Sequence, residues 1–169
     1  MKWYVIQVMS GQEHIVENMC KSCVISEDEE VFIPMYERRK KIGGNWKDEM
    51  YILFPGYVFL CTENVEDLYE RLKVVPKLTK ILKTGDEFIP LHDTEVEFMM
   101  RFGGKNHVVE MSVGYIEGDK VVVTEGPMTD WQGNVKKIDR HKRIAIIEVE
   151  MFGRMTDVTV GLEVVNKVE

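Results

Sequence analysis

The chain has 169 residues and a formal net charge of −7, with 44% hydrophobic and 9% aromatic residues and no low-complexity tract. That length suits one compact domain or two small ones, and the composition excludes disordered and collagen-like classes. No apolar run approaches the ~20 residues a membrane span needs, so a cytoplasmic protein without a membrane partner is expected. The acidic balance excludes a surface coated in basic charge but leaves room for local basic patches, which are what meet phosphate backbones.

Trp3 to Met9 is β-branched and aromatic and reads as a strand. Ser10-Gly11-Gln12-Glu13 follows with the Ser-x-x-Glu spacing of a capping box, so a helix is expected to start there. Ile15, Val16, Met19, Cys20 and Cys23 recur at the intervals of one helical face. Cys20, Cys23 and Cys61 are an odd set, which argues for reduced thiols. Cys20 and Cys23 have Cys-x-x-Cys spacing but lack a second ligand pair, so they read as buried helical thiols, and no metal or cofactor is expected. The acidic run Ser26 to Glu30 reads as a solvated loop.

Val31 to Lys41 and Lys47 to Thr62 read as strands around a turn at Ile42 to Trp46, whose glycines and asparagine suit positive φ. Val65, Leu68, Tyr69 and Leu72 mark a second amphipathic helix after Asn64. Thr94 to Glu97 repeats the capping-box spacing before Val96, Met99 and Met100, and Gly103-Gly104 suits the end of that third helix. After Gly114 the chain becomes short alternating strands separated by turn signals. The expected fold class is α+β: an α/β-type amino domain with a mainly antiparallel sheet and three helices, followed by a small all-β barrel. Closure would remove the barrel's edge strands.

Two stretches are informative by phase. In Leu53-Phe54-Pro55-Gly56-Tyr57-Val58-Phe59-Leu60, Tyr57 and Phe59 share one face while Val58 and Leu60 share the other, and both faces are apolar. Such a strand is central in a well-filled core or carries a docking surface, and phase alone does not choose. In Ile144 to Met151, Ala145, Ile147, Val149 and Met151 share one face, and Phe152 falls in phase with Glu148 and Glu150, on the side facing water. Two basic clusters, Arg38-Arg39-Lys40-Lys41 and Lys136, Lys137, Arg140, Lys142 and Arg143, suit either phosphate contact or solvated turns. No phosphate-cradling glycine loop, His-Glu-x-x-His helix or nucleophile with a spaced base partner is present, so no enzyme is expected.

Trp3-Tyr4-Val5 followed by Ser10-Gly11, Phe54-Pro55-Gly56-Tyr57-Val58 and Val75-Pro76 resemble the amino (NGN) domain of NusG-type transcription elongation factors. Gly118 to Val123, Glu125-Gly126-Pro127, Gly133-Asn134-Val135, Ile138-Asp139 and Phe152-Gly153-Arg154 resemble the KOW domain that follows it, an SH3-like barrel. The resemblance implies an NGN domain over 1–103, a linker over 104–114 and a KOW domain over 115–169. It further implies a monomeric factor that binds the clamp helices of the largest RNA polymerase subunit, with Trp3, Tyr4, Phe54 and Tyr57 as contacts. Phe152 and Arg154 match the family's contacts for ribosomal protein S10 or Rho, although Met151 and Met155-Thr156-Asp157 depart from the usual pattern. The hairpin cluster lies near non-template DNA in the family, and the second cluster suits a nascent RNA element. Leu53-Phe54-Pro55, Gly118 to Gly126, Met128 and Trp131 are similar to the specialised paralogues, LoaP above all, which act on selected operons. The general NusG factor and a ribosome-associated RNA-binding KOW protein are the alternatives.

Overall fold

The structure is a computed structural model that describes residues 1–75, 79–81, 83–84, 87–131 and 133–166, the backbone alone at 79–81 and 83–84. Pro76 and residues 167–169 of the expected KOW domain lie outside the described residues. The chain runs β1 (Lys2–Val8), α1 (Glu13–Cys23), β2 (Glu30–Phe32), β3 (Met35–Ile42), β4 (Asn45–Ile52), β5 (Tyr57–Thr62) and α2 (Val65–Leu72). It continues with β6 (Thr79–Ile81), β7 (Lys83–Thr84), β8 (Glu87–Phe88), α3 (Asp93–Gly103), a 3-10 turn (Gly104–Asn106) and β9 (Val108–Val109). The carboxyl strands are β10 (Ser112–Glu117), β11 (Lys120–Glu125), β12 (Asn134–Asp139), β13 (Ile144–Met151) and β14 (Arg154–Val165). No described helix is long and apolar enough to cross a membrane. Two compact units result, residues 1–34 with 54–96, and residues 35–53 with 97 onward.

The first unit is built on an antiparallel sheet in the order β2-β5-β1-β6. Its central strands are covered on both faces, as the two-sided apolar pattern predicts: Val5 and Phe59 on one side and Ile6 and Val58 on the other are 1% exposed or less. The α1 stripe is narrower than the periodicity predicts. Val16 and Cys20 are buried, whereas Ile15 and Cys23 are exposed, so only Cys20 is a buried helical thiol. Burial pushes the Cys20 thiol up to about 11 and, likewise by burial, Cys61 to about 12, which keeps both as unreactive thiols.

Neither proposed capping box forms in the expected frame. The α1 N-cap is Gln12, without a side-chain cap, and Glu13 opens the helix instead of closing a box with Ser10. Its buried carboxylate accepts the Gly11 amide at 2.9 Å and the Gly56 amide at 2.9 Å. Gly56 is the third residue of a turn closed by Tyr57 N–H donating to the Phe54 carbonyl at 3.3 Å. With Pro55 second and Gly56 at φ +88, this is a type II turn, which requires positive φ at that position. Before α3, Glu95 accepts the His92 amide at 2.8 Å, so the reciprocal bond occurs two residues earlier than Thr94 and Glu97 predict. Phe98, Met99 and Phe102 form the buried side of this helix, and Met100 is exposed.

In the second unit, β3 and β4 form a hairpin whose turn is only Gly43-Gly44, both at positive φ, with Ile42 opposite Asn45. The long strands expected on either side are shortened, by Pro34 on one side and by the Leu53 to Gly56 break on the other. Across the third sheet, β9 pairs in parallel with the start of β3, placing a strand within residues 104–114. The carboxyl strands take the order β11-β10-β14-β13-β12, a curled half-barrel ending at β11 and β12 rather than a closed one among the described residues. Ala145, Ile147, Val149 and Met151 all point into its core, as their phase predicts.

The hairpin seats on this half-barrel. At Gly161 of β14 a side-chain carbon would lie 2.2 Å from the Glu37 carbonyl, so only glycine lets the two backbones come this close. Glu163, two residues on and with 17% of its side chain exposed, accepts from Arg39 at 3.2 Å and from Arg143 at 2.9 Å. One carboxylate thus joins β3, the β12-β13 turn and β14.

The acidic run holds a second ion cluster, in the first unit. Glu29 is not solvated: its side chain is 6% exposed and meets Arg71 of α2 at 2.7 Å. It also accepts from Thr62 Oγ1 at 2.6 Å and from the Ser26 amide and hydroxyl at 2.9 Å each. Burial alone would raise its pKa, but the Arg71, Thr62 and Ser26 hydrogen bonds outweigh it and hold the group at about 2. A carboxylate depressed from 4.5 to about 2 contributes stability that is present above pH 4.5 and lost as pH falls towards 2. In urea titrations across that window, Glu29→Gln should flatten the acid loss of stability; an unchanged pH profile would contradict this account. For the Glu163 cluster, a double-mutant cycle of Arg39→Ala with Glu163→Gln should give a coupling of about 1 kcal/mol. Zero coupling would assign the seating of the hairpin to the Gly161 approach alone.

Candidate docking face and nucleic-acid interface

Register separates the four residues expected to meet polymerase. Trp3 lies opposite Cys61, and Gln7 opposite Tyr57, so Trp3 and Tyr57 share the sheet face that carries Val5 and Phe59. Tyr4 lies opposite Leu60 on the other face and is buried, where burial, then the Glu66 carboxylate, pushes its phenol up. Phe54 is 3% exposed and packs on Phe59 with ring centroids 5.8 Å apart. Phe32 continues the cluster, 5.5 Å from Phe59 and edge-on to Trp3 at 5.2 Å. Trp3 and Tyr57 are half-buried, so these two present the cluster at the surface, Phe54 supports it from behind, and Tyr4 belongs to the opposite face.

The two basic clusters, 95 or more residues apart in sequence, come together within the second unit. Arg38 donates to the Lys142 carbonyl at 3.2 Å, and its guanidinium lies 5.3 Å from the Tyr51 ring centre. Arg143 lies 3.7 Å from the ring centre of Trp46. The structure also sorts these residues by role. Arg39 pairs with Asp48 and Glu163, Arg143 with Glu163, and Lys136 with Asp157 at 3.0 Å and Glu148 at 3.7 Å. Lys40, Lys41, Lys137, Arg140 and Lys142 are exposed and carry no ion pair among the described residues. The paired cations hold the surface together, and the others can meet phosphate.

Trp46, Lys47 and Glu163 were not singled out from sequence. Lys47 lies directly opposite Lys40 across the hairpin, and Trp46 opposite Lys41. A two-residue glycine turn, which fixes register, was the signal that could have placed both.

Phe152 leaves the strand phase expected for it. With Gly153 it forms the two-residue turn between β13 and β14, half-buried at φ 59, and Arg154 follows exposed, opposite Met151. Trp131 packs edge-on against Phe102 at 5.1 Å and Phe98 at 6.0 Å, with the Arg101 guanidinium 5.6 Å from its ring centre. Met128 is buried, its amide donating to the Ser112 hydroxyl at 3.0 Å.

Residues 1–100 match the family model described as transcription termination factor NusG. The chain is 26% identical to the transcription termination/antitermination protein NusG of Campylobacter jejuni, over 99% of this chain and 97% of that protein. It is 29% identical to that of Haemophilus influenzae, over 99% and 94%. Among solved structures, one described as domain interaction in Thermotoga maritima NusG matches with a TM-score of 0.57 and 27% identity, over 95% of this chain and 93% of that one. The chain therefore belongs to the NusG family, a family of non-enzymatic transcription factors.

Proposed function

We propose that the chain is a processivity and antitermination factor that docks on the clamp helices of RNA polymerase through the Trp3, Phe54 and Tyr57 face. Hairpin and β12-β13 turn touch nucleic acid together. Family membership supports the action on transcription, and the curated relatives are themselves named for termination and antitermination. The observation that carries the nucleic-acid half is the junction of the two basic clusters through Arg38, Lys142, Arg143 and Trp46. A cytoplasmic setting and a monomer follow from this reading.

The factor is operon-specific and LoaP-like in this proposal, taking an element of nascent RNA, with Trp131 and Met128 as the residues that set it apart from the general factor. A general NusG role is the second reading, favoured by the names of the relatives. Phe152 and Arg154 are proposed as the KOW contact for a protein partner of the S10 type, a reading supported by their position at one end of the β13-β14 hairpin.

Terminator readthrough by purified polymerase tests the docking half. Trp3→Ala with Tyr57→Ala should reduce readthrough about tenfold or more, since two half-buried aromatics at an interface contribute about 2 kcal/mol or more between them. Full readthrough by this folded double variant would contradict docking through that face. Adding or deleting the operon's leader separates the two readings: leader-dependent readthrough supports the specialised factor, and leader-independent readthrough the general one.

A further inference from the structure

We propose that Trp46, backed by Arg143, is a stacking platform for an unpaired base of a single-stranded nucleic acid whose phosphates are taken by the surrounding lysines. This rests on the nucleic-acid reading of the basic clusters and assigns the chemistry of that site.

Trp46 is 43% exposed although the Arg143 guanidinium already lies 3.7 Å from its ring centre. A large aromatic held open to solvent amid charge is unusual for a fold alone, and every base has a π-face that an indole accepts without sequence preference. A guanidinium against one side of the ring leaves the rest of it oriented and ready, so little ordering remains when a base arrives.

Arg143 is held there against its own backbone preference. It sits at φ 57, the left-handed region, which is unfavourable for a residue with a side chain. The turn leading to it is fixed by Asp139 accepting the Lys142 amide at 2.9 Å, and its guanidinium by Glu163 at 2.9 Å. Backbone strain, an acid clamp and an aromatic contact thus converge on one orientation of the arginine.

The charges around the ring fit the same ligand. Lys41 lies opposite Trp46 on the same face of the hairpin, whereas Lys40 and Lys47, opposite each other, are on its other face. Lys142 is brought to the hairpin by the Arg38 bond to its carbonyl, and the Nε of Arg38 is buried without a hydrogen-bond partner among the described residues. Arg39 and Arg143 are already paired with Asp48 and Glu163, so among the described residues Lys41, on the face of Trp46, and Lys142, next to Arg143, are the cations nearest the ring for phosphates. A base inside a duplex is stacked on its neighbours and cannot reach the indole, so the ligand is single-stranded, as an RNA loop or one DNA strand is.

Fluorescence anisotropy with the full chain tests this on three probes: a hairpin RNA with a uridine loop, oligo(dT), and a blunt RNA duplex. Trp46→Leu should weaken binding of the preferred single-stranded probe about tenfold, Trp46→Phe should restore most of it, and duplex binding should not change. The salt slope should survive Trp46→Leu and flatten in Lys41→Ala with Lys142→Ala. Preference for the loop identifies RNA as the source, and preference for oligo(dT) identifies DNA. Wild-type affinity of a folded Trp46→Leu protein for the single-stranded probes, with the lysine variant weakened, would overturn the platform and leave the nucleic-acid reading standing. An equal loss on duplex and single strand would also overturn it, by making Trp46 structural. Absence of binding by the wild-type protein to any probe would overturn both.

Discussion

One carboxylate organises the carboxyl-terminal unit. Glu163 stands on β14 between Arg39 of the hairpin and Arg143 of the β12-β13 turn, and a shared, mostly buried anion fixes both cations at once. Without it Arg143 would lose its anion and Arg39 would keep only Asp48, which would weaken the contact of the hairpin with the barrel strands. Gly161 supplies the steric half of the same contact by letting the β3 backbone approach β14 closely. Everything proposed for nucleic acid depends on this seam: the Arg38 bond to Lys142, the stacking of Arg143 on Trp46, and the free lysines that flank them.

The amino-terminal sheet follows the same logic with a different anion. Glu13, buried at the start of α1, accepts amides from Gly11 and from Gly56, tying the helix start to the Pro55-Gly56 turn. Desolvating a carboxylate is costly unless donors replace water, and two backbone amides do so here. The turn in its place, Phe54 folds back onto Phe59 while Tyr57 stays half-buried on the sheet face that also carries Trp3. The break in the apolar run is therefore what separates a supporting aromatic from a presented one.

Much of this was legible in the sequence where a period or a turn residue carried it. Alternation gave the two buried faces of β1 and β5 and the inward set Ala145, Ile147, Val149 and Met151, because strand phase is fixed by backbone geometry. Positive-φ glycines marked the hairpin turn. Capping-box spacing misled twice, since the glutamates at 13 and 95 found backbone amides in other frames, and local spacing does not encode which amide is left unpaired. The acidic run looked solvated because Arg71, the partner of Glu29, is 42 residues away. Phe152 moved because a two-residue turn, not a continuing strand, follows Met151. The meeting of the two basic clusters was illegible for the same reason as Glu29: it depends on long-range pairing through a residue, Glu163, that carries no local signal.

The central claim is that hairpin and barrel turn form one nucleic-acid surface. Hydrogen exchange during titration with a uridine-loop RNA hairpin tests it most directly, because it reads the backbone of both segments in one sample. The account predicts that residues 40–47 and 139–143 gain protection together, at the same RNA concentration. Protection confined to one segment, or arising at clearly different concentrations in the two, would contradict it.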